Sequence, residues 1–362
     1  MRFLTVSLLA SVMSFTGVAA HAAETRGFAV NWFYPAMYST KDDCVDGNNP
    51  SAEKLFVRIL KEMNTPPEEI EKLMTDFPFT FSSKYGNRGM VDGKPVNAYL
   101  NPTSVPDPNI KTSIGTMGYG FNLDGKIGPN DFTDPDTAEK GVDNLAARAM
   151  GCFATLRGGP KERQVHLSSR WEETRGHMQA WLIEISGIDD YANDEAITLK
   201  FFRAKEAVYR DNNTDSLADM TFRVDHNERS TNVLKGRIKD GMVLTDAQDV
   251  RMIGDPFHMP NVIFDQARMR LAFQPNGDLK GIVGGYMPFT DIYMSLALTG
   301  TLSESMLSVD LPGFYYALRK LADANPDPKT GMNMNISTSF VIEAVPAFIT
   351  DGEGSQVSQV GN

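Results

Sequence analysis

Residues 178–202 read MQAWLIEISGIDDYANDEAITLKFF. Trp181–Ser186 and Ile197–Phe202 each alternate apolar and polar side chains, the period of a strand with one buried face. Gly187-Ile188-Asp189-Asp190 and Asn193-Asp194 break the alternation with residues that form turns. The same rhythm continues through Met220–Val224, Val233–Ile238, Met242–Leu244, Val262–Phe264, Met269–Phe273 and Leu279–Val283. Asp240-Gly241 and Pro275-Asn276-Gly277-Asp278 read as hairpin turns, and Gly284-Gly285 as the end of the last strand. Short alternating strands at this spacing read as an antiparallel sandwich or barrel. The expectation is an α+β protein whose main part, 178–350, is an antiparallel β-sandwich.

Further along, 286–325 predicts a two-helix insertion. Phe289–Leu298 is apolar almost all round, and Phe314, Leu318 and Leu321 share one face of a helix over Leu311–Ala324. Ile336–Ile349 returns as a last strand, interrupted at Pro346, and the tail 351–362 reads as disordered. Upstream, 158–177 is polar and of mixed charge, a linker or surface excursion. The segment 23–157 is loop-rich and partly helical. Phe28–Tyr34 reads as a strand, Ala52–Met63 as a helix, the stretch after Pro66 as a second, and Leu145–Leu156 as a third. Many Pro and Gly residues break up 77–118.

The chain opens with Arg2, an apolar run from Phe3 to Val18 and a small-x-small site at Ala20-His21-Ala22. This is the pattern of a secretory signal peptide over 1–22, and it implies a periplasmic or secreted protein. No later segment is long and apolar enough to form a transmembrane helix. Lys and Arg number 35; setting aside Arg2 leaves 34 against 46 Asp and Glu, a net charge of −12 for the rest of the chain. Such a surface repels nucleic acid. The two cysteines, Cys44 and Cys152, predict one disulfide in an oxidising compartment.

For chemistry, the densest stretch is Gly118–Asn144, GYGFNLDGKIGPNDFTDPDTAEKGVDN. Set in an EF-hand frame, Asn122, Asp124, the Lys126 carbonyl and Asp131 fall at ligand positions, and Gly125 at the sharp turn. Asp134, Asp136 and Asp143 lie close enough in sequence to complete a calcium site. The first position is Gly120, which offers no side-chain ligand. The competing reading is a solvated loop in which the same residues only form turns. Asp189, Asp190, Asn193 and Asp194 form a second acidic cluster, more readily a turn than paired acid–base carboxylates. His166, His177, His226 and His258 show no zinc spacing. Met252, Met332, Met334 and the Phe257-His258-Met259 group are too sparse for a copper site. Nucleophile-elbow, phosphate-loop and dinucleotide-binding patterns are absent. Tyr286, Phe289, Tyr293, Phe314 and Tyr315 either line a ligand pocket against the sheet or simply fill its core.

The run GFNLDG, with DF, DPD, GVDN, IEISGIDD and EAVPAFI after it, resembles an uncharacterised group of predicted secreted bacterial proteins. The resemblance implies export and a mainly β fold, and nothing about substrate. Residues 122–131 alone resemble a dockerin-type calcium loop, without the duplication that cohesin binding requires. Three functions stand open: an exported, non-enzymatic binding or accessory protein with a structural calcium ion; a metal-dependent hydrolase using the carboxylates of 122–143; and a cell-envelope assembly component.

Overall fold

The computed structural model describes residues 23–159, 162–253 and 261–351. The expected leader over 1–22, the Phe257-His258-Met259 group and the tail from 352 lie outside the described residues, as does the His166 side chain. The chain begins with strand β1, Glu24–Pro35. Helices α1 (Ala52–Glu62) and α2 (Pro67–Thr75) follow, then two short hairpins, β2 (Gly89–Val91) with β3 (Lys94–Val96) and β4 (Phe132–Thr133) with β5 (Lys140–Val142). Helices α3 (Leu145–Met150) and α4 (Val165–Thr174) lead into the strand-rich half. There β6 (Gln179–Ile188), β7 (Asp194–Ala207), β8 (Met220–Asp225), β9 (Thr231–Lys239), β10 (Met242–Thr245) and β11 (Gln248–Ile253) run in succession. They are followed by β12 (Asn261–Phe273), β13 (Leu279–Pro288), helices α5 (Phe289–Ala297), α6 (Gly300–Leu307) and α7 (Leu311–Leu321), then β14 (Ala324–Pro326) and β15 (Asn333–Thr350).

The sheet is a closed barrel, not the expected sandwich. The strands β1, β6, β7, β9, β10, β12, β13 and β15 pair antiparallel in that order, and β15 pairs back onto β1. Closure depends on the two ends of the chain, because β1 and β15 run together from Phe28↔Pro346 to Pro35↔Phe340. Alternation reports that one face of a strand is buried. It does not report whether that face meets a second sheet or the inside of its own. Closure also removes the exposed strand edges that an open sheet would offer to other chains.

Inward-facing side chains fill the barrel. Phe33, Trp181, Ile183, Ile185, Leu199, Phe201, Leu271, Val283, Phe340 and Ile342 belong to one buried cluster. Phe33 stacks on Phe340 with ring centroids 4.6 Å apart and meets Trp181 edge-on at 5.0 Å. An eight-stranded barrel is just wide enough for its own side chains. Each fully buried one contributes roughly 1.5–3 kcal/mol.

A smaller circuit shares the wall. Strand β8 pairs antiparallel with β7 and parallel with β15, so β1, β6, β7, β8 and β15 also close on themselves. Ala29, Leu182, Phe202, Phe222, Val224, Val345 and Ile349 fill it. This explains the unbroken apolar run Trp181-Leu182-Ile183. Strand β6 separates two cores and is buried on both faces.

Several local expectations shift in tertiary context. The 286–325 insertion holds three helices rather than two: Gly300–Leu307 carries one Gly, one Thr and two Ser, weak helix formers, yet it forms α6. The third predicted helix stops at Met150, and a short 3-10 turn over Ala154–Leu156 follows. The polar stretch 158–177 contains α4, which lies along β1 and buries Trp171. Gly284-Gly285 sits inside β13, and Pro346 inside an unbroken β15. Cys44 and Cys152 form the expected disulfide, 108 residues apart in sequence; in the chain-entropy model a loop of that size is worth about 4–5 kcal/mol. Among the described residues no helix is long and apolar enough to cross a membrane.

Candidate ligand cleft on the outer face of the barrel

The outer face of β1, β15, β13 and β12 is built in cross-strand rows. In one row Ser339, Gly284 and Arg268 stand side by side, and next to it Ser337, Tyr286 and Asp265. The Asp-rich segment 118–144 lies over these rows. Gly284 makes room for it, since a Cβ there would meet Phe121 at 2.7 Å and the Ser339 Oγ at 2.5 Å. Arg268 donates to the carbonyls of Asn122 and Leu123 at 2.8 and 3.2 Å. Arg270 reaches Asp134 at 2.7 Å and Glu139 at 3.3 Å, with its guanidinium over the Phe121 ring. Phe121, Leu123, Ile282 and Tyr286 pack together beneath the segment.

The predicted calcium ligands are distributed along this cover, and their oxygens serve the backbone. Asn122 Oδ1 accepts from the Gly125 N–H at 2.7 Å, and its amide donates to the Lys126 carbonyl at 2.9 Å. Asp124 accepts from the Lys126 N–H at 2.8 Å, and Asp131 from the Gly128 N–H. Asp134 takes the N–H groups of Asp136 and Thr137, both at 2.9 Å, on one oxygen and Arg270 on the other. Asp143 accepts from Leu123 and Asp124 at 2.7 and 3.3 Å. Among the described residues no three acidic, histidine or cysteine groups converge as a metal site requires. This is the geometry of successive Asx turns. Left-handed backbone falls at Gly125 (φ +76°), Ala138 (φ +58°) and Gly141 (φ +77°). Burial pushes the Asp143 carboxyl up to about 7, against the pull of its two N–H donors, with Asp131 and Asp124 adding repulsion. Burial likewise raises Asp323, and raises the Tyr286 hydroxyl with help from Asp143.

Two further rows are only partly covered: Tyr34 and Ile282 are largely buried, and Trp32 lies under Arg163 and Arg175. One is Tyr34, Val341, Ile282 and Arg270; the other is Trp32, Glu343, Lys280, Ala272 and Met242. Tyr119, Asp134, Asp136 and Thr137 overhang them from the edge of the segment. The result is an open cleft of about 500 Å³ whose floor is Ile282, Gly281 and Val341. Its charges come in pairs. Glu343 accepts from Lys280 at 3.0 Å, from Arg163 at 2.6 Å and from the Tyr34 hydroxyl at 3.0 Å. Those two cations hold the Glu343 carboxyl below its usual range, although burial opposes them. Arg163 also lies 3.9 Å above the Trp32 ring. Burial pushes the Tyr119 hydroxyl up to about 12, with Asp136 and Asp134 adding to the shift, and that hydroxyl has no hydrogen-bond partner among the described residues.

Of the predicted site residues, the cleft brings together Asp134 and Asp136 only. The proposed aromatic pocket divides. Phe289, Tyr293 and Phe314 are core, with Tyr315 closing on the first two at 5.5 and 5.2 Å. Tyr286 faces outward under the Asp-rich segment instead. The cluster at 189–194 is a turn, where Asp194 accepts from Asp189 and Ala196, and Asp190 from Ala192. Sequence reasoning missed Arg268 and Arg270, although two arginines two apart on a strand's polar face are a visible signal. It also missed a buried anchor, Arg88 on Glu304 at 2.6 Å with the Tyr99 hydroxyl at 2.8 Å, which ties the N-terminal segment to α6. Comparison of the chain with protein-family models, with characterised proteins and with solved structures gave no match.

Proposed function

We propose that this chain is an exported, non-enzymatic binding protein whose ligand seat is the cleft between the partly covered rows of β1, β15, β13 and β12 and the overhang of the Asp-rich segment. The observation that carries the reading is the cleft itself. Its volume, about 500 Å³, is in the range of small-molecule sites, and it combines an apolar floor with a few placed polar groups. The disulfide and the predicted leader agree with export. A net charge of −12 for the chain without its leader disfavours nucleic acid as the partner. A metal-dependent hydrolase is the weaker reading, because the carboxylates of 122–143 already accept backbone N–H groups or Arg270. The test is a thermal-shift screen of the chain without its leader against a small-molecule library of sugars, amino acids, carboxylates and amphiphiles. Lys280→Trp, at an exposed lining position, serves as the blocked control. Compounds that raise the melting temperature of wild type but not of Lys280→Trp are expected, and they should be recovered unchanged. A library that never separates the two proteins overturns the reading.

A further inference from the structure

The chemistry of the cleft narrows the ligand, on the premise that the cleft is a binding seat. Every charged group at its margin is already engaged within the protein. Lys280 and Arg163 are on Glu343, Arg270 is on Asp134 and Glu139, and Asp136 is not free either. An ionic ligand would either break one of these pairs, leaving its partner uncompensated in a partly desolvated place, or bring an unmatched charge to a rim whose charges are already paired. A neutral ligand would not. The pairs nevertheless keep unused capacity, because an ammonium has three N–H donors and a carboxylate about four lone-pair sites. Donors and acceptors therefore alternate around the rim, an arrangement that suits hydroxyl groups, each of which both donates and accepts. Between them lie Val341 and Ile282, flanked by the Tyr34 and Tyr119 side chains. The matching molecule is neutral, with an apolar face and an edge of hydroxyls, as in a sugar ring whose C–H face rests on aromatic and aliphatic carbon. We infer that the cleft binds a short neutral saccharide, its ring face against Ile282, Val341 and the tyrosines and its hydroxyls on the Lys280–Glu343 pair and on Arg270, whose partner Asp134 is fully buried.

The experiment is saturation-transfer NMR on the chain without its leader, with maltose, cellobiose and N,N′-diacetylchitobiose. Choline, glutamate and glucose 6-phosphate are the charged comparators. The variants are Lys280→Trp and Thr137→Trp, both at exposed lining positions, and Tyr119→Ala. Each is first required to melt as a folded protein. The expected result is transfer to the ring C–H protons of at least one neutral saccharide. It is abolished by the tryptophan variants and weakened roughly two- to tenfold by Tyr119→Ala, as loss of an aromatic contact implies. Saccharide binding unaffected by either folded tryptophan variant overturns the site. A charged comparator that binds and is blocked by Lys280→Trp, with no saccharide bound, overturns the ligand class and leaves the binding reading standing. If neither these probes nor the thermal-shift library yields a cleft-dependent ligand, both fall.

Discussion

The two halves of the outer face of β12, β13 and β15 make an instructive pair. They share strands and register. Where the rows carry Gly284, Ser339 and Ser337, the surface is low, and a loop sits flat on it with Phe121 in the hollow. One strand step away, Ile282, Val341 and Lys280 line the cleft, and the edge of the segment reaches it through Tyr119, Asp134, Asp136 and Thr137. The lesson is that a cleft on a closed barrel needs no internal cavity. A single glycine in one cross-strand row, with Phe121 packed where its Cβ would stand, is enough to let a loop close down on that part of the sheet. Arg270 belongs to both halves, lining the cleft while holding Asp134 of the overhang.

The sharpest way to break the comparison is therefore Arg270→Ala. It leaves the Asp134 carboxylate, fully buried, without its cation. Loss of one partner of a buried pair costs about 3–5 kcal/mol, and the two N–H groups on Asp134 should place the result at the lower end. Urea unfolding followed by tryptophan fluorescence measures this, and a loss of under about 1 kcal/mol would show that the pair does not hold the overhang. Gly284→Val comes next. Its new carbon collides with Phe121 and Ser339, and overpacking of this kind costs about 1–3 kcal/mol. Limited proteolysis should find the Asp-rich segment newly cleavable while the barrel survives. Equal resistance in the two proteins would mean that the glycine does not set the cover.

A smaller effect concerns pH. Burial raises Asp143 to about 7, above the roughly 3.9 of an unfolded aspartate. Between those values the folded chain holds this proton more tightly than the unfolded chain does, so the contribution of Asp143 to stability is greatest near pH 4, falls as pH rises and levels off above 7. Asp143→Asn keeps an acceptor for the Leu123 and Asp124 N–H groups and cannot ionise. Its melting temperature should match wild type near pH 4 and exceed it increasingly up to pH 7; parallel melting curves across that range would contradict the shift. The smallest expected effect is that of calcium. Because the oxygens of the Asp-rich segment serve its own backbone, calorimetric titration should give no saturable heat and EDTA should leave the melting temperature unchanged. Saturable binding lost in both Asp124→Ala and Asp131→Ala would instead restore the metal loop and recast the cover as ion-dependent.

Much of the local structure was legible in the residues. Alternation marked the strands from Trp181 to Val283, and Asp240-Gly241, both with positive φ, marked a hairpin whose type I′ turn asks for such residues. The cysteine count pointed to the disulfide, and Asp, Asn and Gly between 118 and 144 pointed to turns. These signals are local: each depends on backbone preferences within a few residues, or on a pairing with a single solution. The closed barrel, the second circuit behind β6 and the cleft depend on which strand lies beside which. Tyr34, Val341, Ile282 and Arg270 are scattered over more than three hundred positions and become neighbours only in register. Period-two patterning says that a side chain faces in or out, and it is blind to what stands opposite. That was decided by the pairing of β1 with β15, which brings the ends of the described chain together and, by closing the sheet, turns its outer face into the surface on which a loop can leave a cleft.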